Sequence, residues 1–138
     1  MKHVASSLFV VPVVTFALVG CGSADGDVDP YRDTVGDAGL LHFQVDSEKP
    51  LTQGENDLRI SIREASTEAP FVGAAVHVLA IMPAMAHDAP RATAIEDSES
   101  GTYVATGFAL PMAGRWYVEV TASRQQTVDA ARFTYDLR

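Results

Sequence analysis

The chain has 138 residues, and its 18 Asp and Glu residues outnumber its 10 Lys and Arg residues, which gives a formal net charge of −8 at pH 7. This acidity argues against nucleic acid as a partner, because binding to phosphates requires a basic surface. The single cysteine, Cys21, excludes an intramolecular disulfide, a thiolate zinc cluster and a CxxC redox motif.

The first residues have the pattern of a secretion signal. Lys2 precedes an apolar run over residues 8–20, which has the length of a signal-peptide core and is short for a membrane span. The segment LVGC, residues 18–21, resembles a bacterial lipobox. That resemblance implies a lipoprotein signal peptide over residues 1–20, diacylation of Cys21 and an extracytoplasmic protein held at a membrane. Gly22, next to the lipidated position, favours the outer membrane if the cell has one; a plain secretion signal or an uncleaved anchor is the alternative.

The lipidated cysteine and a flexible acidic tether are predicted to occupy residues 21–38, and a folded domain residues 39–138. Residues 22–38 are rich in Gly and Asp and poor in apolar side chains, which is typical of a solvated linker. Loss of the signal peptide removes Lys2, so the mature chain would carry nine Lys and Arg against 18 Asp and Glu, a net charge of −9.

Apolar and polar side chains alternate with a period of two through most of the domain, and the pattern gives no convincing helix. Segments with many turn-forming residues separate seven candidate strands. The candidate strands are residues 40–46, 57–64, 73–82, 91–97, 101–108, 115–122 and 129–137. Their number, length and spacing predict an all-β domain, an immunoglobulin-like β-sandwich of about seven strands.

Four residues with soft side-chain donors are candidate metal ligands, and they lie at or near the ends of two of these strands. Met82, Met85 and His87 lie in the stretch IMPAMAHDAP, and Met112 lies in LPMAG. Thioether and imidazole groups suit Cu(I), and they are the soft ligands that remain in a domain without cysteine. In an immunoglobulin-like sandwich the third and sixth strands are antiparallel neighbours, so the end of one lies beside the start of the other. The four side chains can therefore meet at one rim of the sandwich.

The same residues also have a purely structural interpretation. Met82 is an even number of residues away from apolar residues of its strand, so its side chain is expected on the same face and can fill the end of the core. Pro83 ends the strand, and His87 can lie in solvent within the turn. Met85, His87 and Met112 are therefore better ligand candidates than Met82.

Three segments, in this order, resemble the YtkA-like / FixH-like group of small bacterial extracytoplasmic domains. They are PLTQGENDLRISIRE, APFVGAAVHVLAIMPAMAH and GTYVATGFALPMAGRWYVEV, within residues 50–122. The resemblance implies an immunoglobulin-like fold and a link to copper or to metal-handling proteins of the cell envelope. One departure is STEAP, which replaces a glycine-containing turn before the central strand.

No motif for catalysis is visible. The sequence lacks a G-x-S-x-G nucleophile elbow, a phosphate-binding glycine loop and an H-E-x-x-H zinc motif. We therefore expect a non-enzymatic, membrane-tethered binding module, with Cu(I) or another soft metal at the Met/His rim. The alternative is a protein-interaction or spacer module of the cell envelope that binds no metal.

Overall fold

The structure is a computed structural model that describes residues 32–85 and 89–138. The described residues form eight antiparallel β-strands and contain no helix. The strands are β1 Arg32–Val35, β2 Leu41–Asp46, β3 Gly54–Glu64, β4 Ala75–Ile81, β5 Arg91–Glu96, β6 Thr102–Leu110, β7 Gly114–Arg124 and β8 Thr127–Leu137. The all-β, immunoglobulin-like sandwich expected from the sequence is confirmed, with eight strands in place of seven.

The strands follow the order β1-β2-β3-β6-β5-β4-β7-β8, which gives two packed faces that are joined through β5. β5 pairs with β4 over residues 91–94 and then contacts β6 through Ile95 and Glu96. The two outer strands, β1 and β8, also approach each other. The guanidinium of Arg32 on β1 lies 5.2 Å from the ring centroid of Tyr135 on β8. The sheet is therefore nearly closed into a barrel.

Strict alternation of side chains builds the core. In β2 the side chains of Leu41, Phe43 and Val45 are fully buried, whereas the intervening residues are partly exposed. Strands β3, β4, β7 and β8 follow the same rule, because side chains two residues apart point to the same face of a strand. The central strand β4 pairs with β7 along its whole length, from Ala75 opposite Ser123 to Ile81 opposite Tyr117.

Strand β1 departs from the expectation of a tether that runs to residue 38. Its four residues pair with β2, from Arg32 opposite Val45 to Val35 opposite His42. The sequence of this segment predicts a linker because it is short and polar. An edge strand of this kind is held by main-chain hydrogen bonds instead of by buried side chains. The ordered domain thus includes at least seven residues that composition assigns to the linker.

The turn between β1 and β2 is fixed by Asp129 of β8. One carboxylate oxygen of Asp129 accepts hydrogen bonds from the backbone N–H groups of Ala38 and Ala130, and the other accepts from Leu40 and Leu41, all at 2.8–2.9 Å. Asp129 is only 3% exposed. Burial alone would raise the pKa of Asp129, but these four N–H donors hold it below its ordinary value.

The predictions for the N-terminus concern residues that precede Arg32, where the described part of the chain begins. The signal peptide over residues 1–20 and the lipidation site Cys21 lie outside the described residues. Across residues 32–85 and 89–138, no helix is both long enough and apolar enough to cross a membrane.

Candidate functional site

The three candidate ligands among the described residues, Met82, Met85 and Met112, lie where β4 ends and β7 begins. β4 ends at Ile81, and Pro83 two residues later has no N–H group with which to continue the ladder. The chain then turns, and the backbone N–H of Met85 donates a hydrogen bond to the carbonyl oxygen of Met82 at 3.0 Å. This short turn brings two methionines of the stretch to the same edge of the sandwich.

The third methionine reaches the same edge from the connection between β6 and β7. Because β4 and β7 are antiparallel and Ile81 faces Tyr117, the residues that precede β7 lie next to those that follow β4. The carbonyl oxygen of Pro111 accepts a hydrogen bond from the side-chain amide of Gln53 at 2.8 Å, and that of Met112 accepts one from the indole N–H of Trp116 at 2.9 Å. Both ends of this connection are thus tied to the domain.

The structure brings Met82, Met85 and Met112 together. All three line a small cavity of about 120 Å³, whose walls are otherwise Ala89, Pro90, Pro111 and Trp116. The same three methionines also line an adjoining, more open groove of about 470 Å³, together with Pro83, Ala84, Ala113, Gly114, Arg115 and Tyr117. We call the small cavity the methionine pocket and the larger one the outer groove.

Met82 serves two roles in this arrangement. Its side chain is partly buried and packs against the hydrophobic core, as does that of Met112. A Cβ atom at Gly114 would lie 2.8 Å from the Cε atom of Met82, so the missing side chain at Gly114 leaves room for this methyl group. Gly114 also has a φ of 126°, a conformation that residues with a side chain rarely adopt.

The methionine pocket is electrically neutral among the described residues. The charged side chain that lines the outer groove is Arg115, whose guanidinium pairs with the Asp136 carboxylate through Nε at 2.8 Å and Nη2 at 3.0 Å. These hydrogen bonds raise the pKa of Arg115 and lower that of Asp136. Within the described ranges, no three His, Cys, Asp or Glu side chains are grouped so that they could hold a metal ion.

The two histidines among the described residues, His42 and His77, do not line the methionine pocket. His87, the fourth candidate ligand, lies outside the described residues, which end at Met85 and resume at Ala89. His42 lies 3.0 Å from an Asp33 carboxylate oxygen on β1, and the Nδ1 atom of His77 lies 3.3 Å from the Thr93 hydroxyl on β5. These contacts place both imidazoles against residues that do not line the methionine pocket.

Sequence reasoning did not identify Trp116 or Gly114 as parts of this site. Trp116 reads as a core aromatic, and it is indeed only 3% exposed. The sequence feature that could have predicted its role is its position four residues after Met112, because a buried indole N–H requires a hydrogen-bond acceptor nearby. The φ of Gly114 depends on how the β6–β7 connection meets Met82, which a strand pattern does not specify.

One comparison with known proteins identifies the family of this chain. The YtkA-like family model matches residues 38–121, more than half of the chain, and this range includes all the described methionines of the pocket. Comparison with curated proteins and with solved structures finds no match. The chain belongs to the YtkA-like family.

Proposed function

We propose that this protein is a membrane-tethered extracytoplasmic module that binds Cu(I), or another soft metal ion, at the methionine pocket and serves metal handling in the cell envelope. The observation that carries the proposal is the convergence of Met82, Met85 and Met112 on one pocket, although they are spread over thirty residues of sequence. The membrane attachment rests on the lipobox-like LVGC segment that ends at Cys21.

The chemistry of the donor set favours a soft, monovalent ion. Thioether sulfur is a soft and uncharged donor, so it binds Cu(I) in preference to hard divalent ions such as Mg²⁺ and Ca²⁺, which need carboxylates and water. The lining of the methionine pocket consists of apolar side chains and contains no carboxylate among the described residues. A low-charge pocket of this kind suits an ion that sheds its hydration readily. When bound, the metal would be held by the three thioethers.

The proposal is tested with the full chain purified in detergent. Cu(I) is titrated under reducing conditions against a competing chelator, and the dissociation constant is compared among variants. Replacement of Met82, Met85 and Met112 by Leu removes the sulfur atoms with little change in side-chain volume. We expect the triple variant to lose Cu(I) binding while it retains its fold, as judged by circular dichroism.

Two further variants sharpen this test. His42→Ala removes an imidazole that lines neither the methionine pocket nor the outer groove, so it should leave the Cu(I) affinity unchanged. Met85→Leu combined with His87→Ala tests the ligands assigned from the sequence stretch IMPAMAHDAP. Unchanged affinity in both the triple methionine variant and this double variant would contradict the proposal.

The outer groove favours a second candidate function, that of a protein-interaction module. Its apolar lining includes Pro83, Tyr117 and the three methionines, and methionine-rich surfaces adapt readily to a partner. The Met→Leu variants separate the two functions, because leucine preserves an apolar docking surface but provides no metal ligand. Retained partner binding without metal binding would support this second function.

A further inference from the structure

The side chain of Trp116 connects the core of the domain to the methionine pocket. It projects inward from β7, where Trp116 pairs with Tyr135 of β8, and only 3% of its surface is exposed. Its indole N–H donates a hydrogen bond to the Met112 carbonyl oxygen at 2.9 Å. The donor belongs to a strand and the acceptor to a connection, so this bond holds the Met112 backbone to the sheet.

Trp116 also forms part of the pocket wall. It lines the same cavity of about 120 Å³ as Met82, Met85 and Met112. An aromatic ring attracts a cation through its quadrupole, and indole does so more strongly than the rings of Tyr or Phe. This attraction increases as water is excluded, and the wall that Trp116 provides is itself only 3% exposed to solvent.

We infer that Trp116 belongs to the metal site, where it positions Met112 through its N–H group and provides an aromatic wall for a desolvated, monovalent soft cation. The inference rests on the proposed function, because it concerns the same pocket. It adds a residue that is not a sulfur or nitrogen ligand, and it restricts the bound species to ions such as Cu(I) and Ag(I), whose single charge suits a pocket of neutral donors.

The first test uses the fact that Trp116 is the one tryptophan of the chain. Ag(I), which has the charge and softness of Cu(I) and does not change oxidation state under these conditions, is titrated as its nitrate into the full chain in detergent. We expect the tryptophan emission to change in intensity or wavelength and to saturate at one equivalent. Zn²⁺ should produce no such change.

The second test uses Trp116→Phe, which keeps an aromatic ring but removes the N–H donor and weakens the cation–π attraction. We expect the Ag(I) dissociation constant from isothermal titration to rise about ten-fold. In the NMR spectrum of the metal-free variant, the Met112 ε-methyl signal should shift, because the backbone of Met112 is no longer tied to β7. If neither the N–H group nor the indole ring of Trp116 acted on the site, the affinity would be unchanged.

A stability control separates a damaged core from a damaged site. Phe133→Leu reduces the volume of another buried side chain, on β8, which lines neither the methionine pocket nor the outer groove. It should lower the melting temperature but leave the Ag(I) affinity unchanged. Two results would overturn the inference, provided that Met112→Leu abolishes Ag(I) binding. One is equal Ag(I) affinity of the wild-type protein and Trp116→Phe, and the other is a tryptophan emission that does not change when Ag(I) binds. Absence of Ag(I) and Cu(I) binding in the wild type would instead overturn the proposed function itself.

Discussion

The terminal methyl group of Met82 lies against the backbone of Gly114, and a Cβ atom at Gly114 would be only 2.8 Å from it. Gly114→Ala therefore has two effects: the Met82 side chain must move away, and the new residue must adopt a φ of 126°. We expect a loss of about 1–2 kcal/mol in the free energy of unfolding from the backbone strain, measured by urea titration. The Met82 ε-methyl resonance should shift, and Ag(I) affinity should fall.

Gly107→Ala provides the matched control for this prediction. Gly107 also has a positive φ, of 64°, but no atom beyond its two chain neighbours lies within 4 Å of the position that its Cβ would take. The control should lose a comparable amount of stability, on the order of 1 kcal/mol, because of its left-handed backbone conformation. A Met82 resonance that moves equally in both variants would contradict the direct contact between Met82 and Gly114.

The Asp129 carboxylate should make a large contribution to stability. In Asp129→Asn one of the two acceptor oxygens becomes an NH₂ group, which faces backbone N–H donors that it cannot satisfy. We expect the free energy of unfolding to fall by about 2 kcal/mol, measured by urea unfolding at pH 7. Asp136→Asn, which removes an exposed carboxylate paired with Arg115, should have a much smaller effect.

The same residue should make the domain sensitive to acid. The folded-state pKa of Asp129 lies below its ordinary value of about 3.9, so the stability from its ionised form is complete above that pH and is lost as the pH falls through the folded-state pKa. Urea unfolding between pH 6 and pH 2 should show a decline below about pH 4 in the wild type. Asp129→Asn should reduce this decline; an identical pH profile would contradict the assignment.

Two buried tyrosines should respond in opposite ways to removal of their hydroxyl groups. The Tyr103 hydroxyl donates to the Phe71 carbonyl oxygen at 2.6 Å and accepts from the Ala74 N–H at 3.1 Å, whereas that of Tyr135 is buried without a hydrogen-bond partner among the described residues. Tyr103→Phe should lower the free energy of unfolding by about 1–3 kcal/mol, because two backbone groups lose their partner. Tyr135→Phe should be neutral or stabilising, and thermal unfolding of both variants provides the comparison.

Metal binding at the methionine pocket should protect its sulfur atoms from oxidation. Met82, Met85 and Met112 are all partly exposed, so hydrogen peroxide can convert them to sulfoxides, and sulfoxide is a poor soft ligand. We expect mass spectrometry to show slower addition of oxygen at these positions when one equivalent of Ag(I) is bound. The Ag(I) affinity of peroxide-treated protein should fall. Equal oxidation rates with and without Ag(I) would contradict a shared site.

Much of this fold follows from the sequence because strand alternation is a local property. The alternation of apolar side chains in β2, at Leu41, Phe43 and Val45, and the same alternation in β4 specify which face of each strand is buried. The convergence of Met82 with Met112 also follows, since it needs only the antiparallel pairing of β4 with β7. The even spacing of Met82 from the buried residues of β4 likewise predicts its contact with the core.

The remaining features depend on contacts that local patterns do not encode. No side chain of strand β1 is fully buried, and the turn that follows it depends on Asp129, which is about 90 residues away in sequence. The role of Trp116 depends on one hydrogen bond to a connection whose path cannot be deduced from strand periodicity. The family match extends from residue 38 to 121, so it excludes both β1 and β8.

The Asp129 contact also sets an order for folding. It joins the first turn of the domain to its last strand, with partners 88 to 91 residues apart in sequence. Contacts of such high sequence separation form slowly, because a long loop must close before they contribute stability. Because a chain is synthesised from its N-terminus, the β1–β2 turn is made long before β8. Until that final strand is available, the N–H groups of Ala38, Leu40 and Leu41 lack the Asp129 carboxylate that binds them in the folded domain.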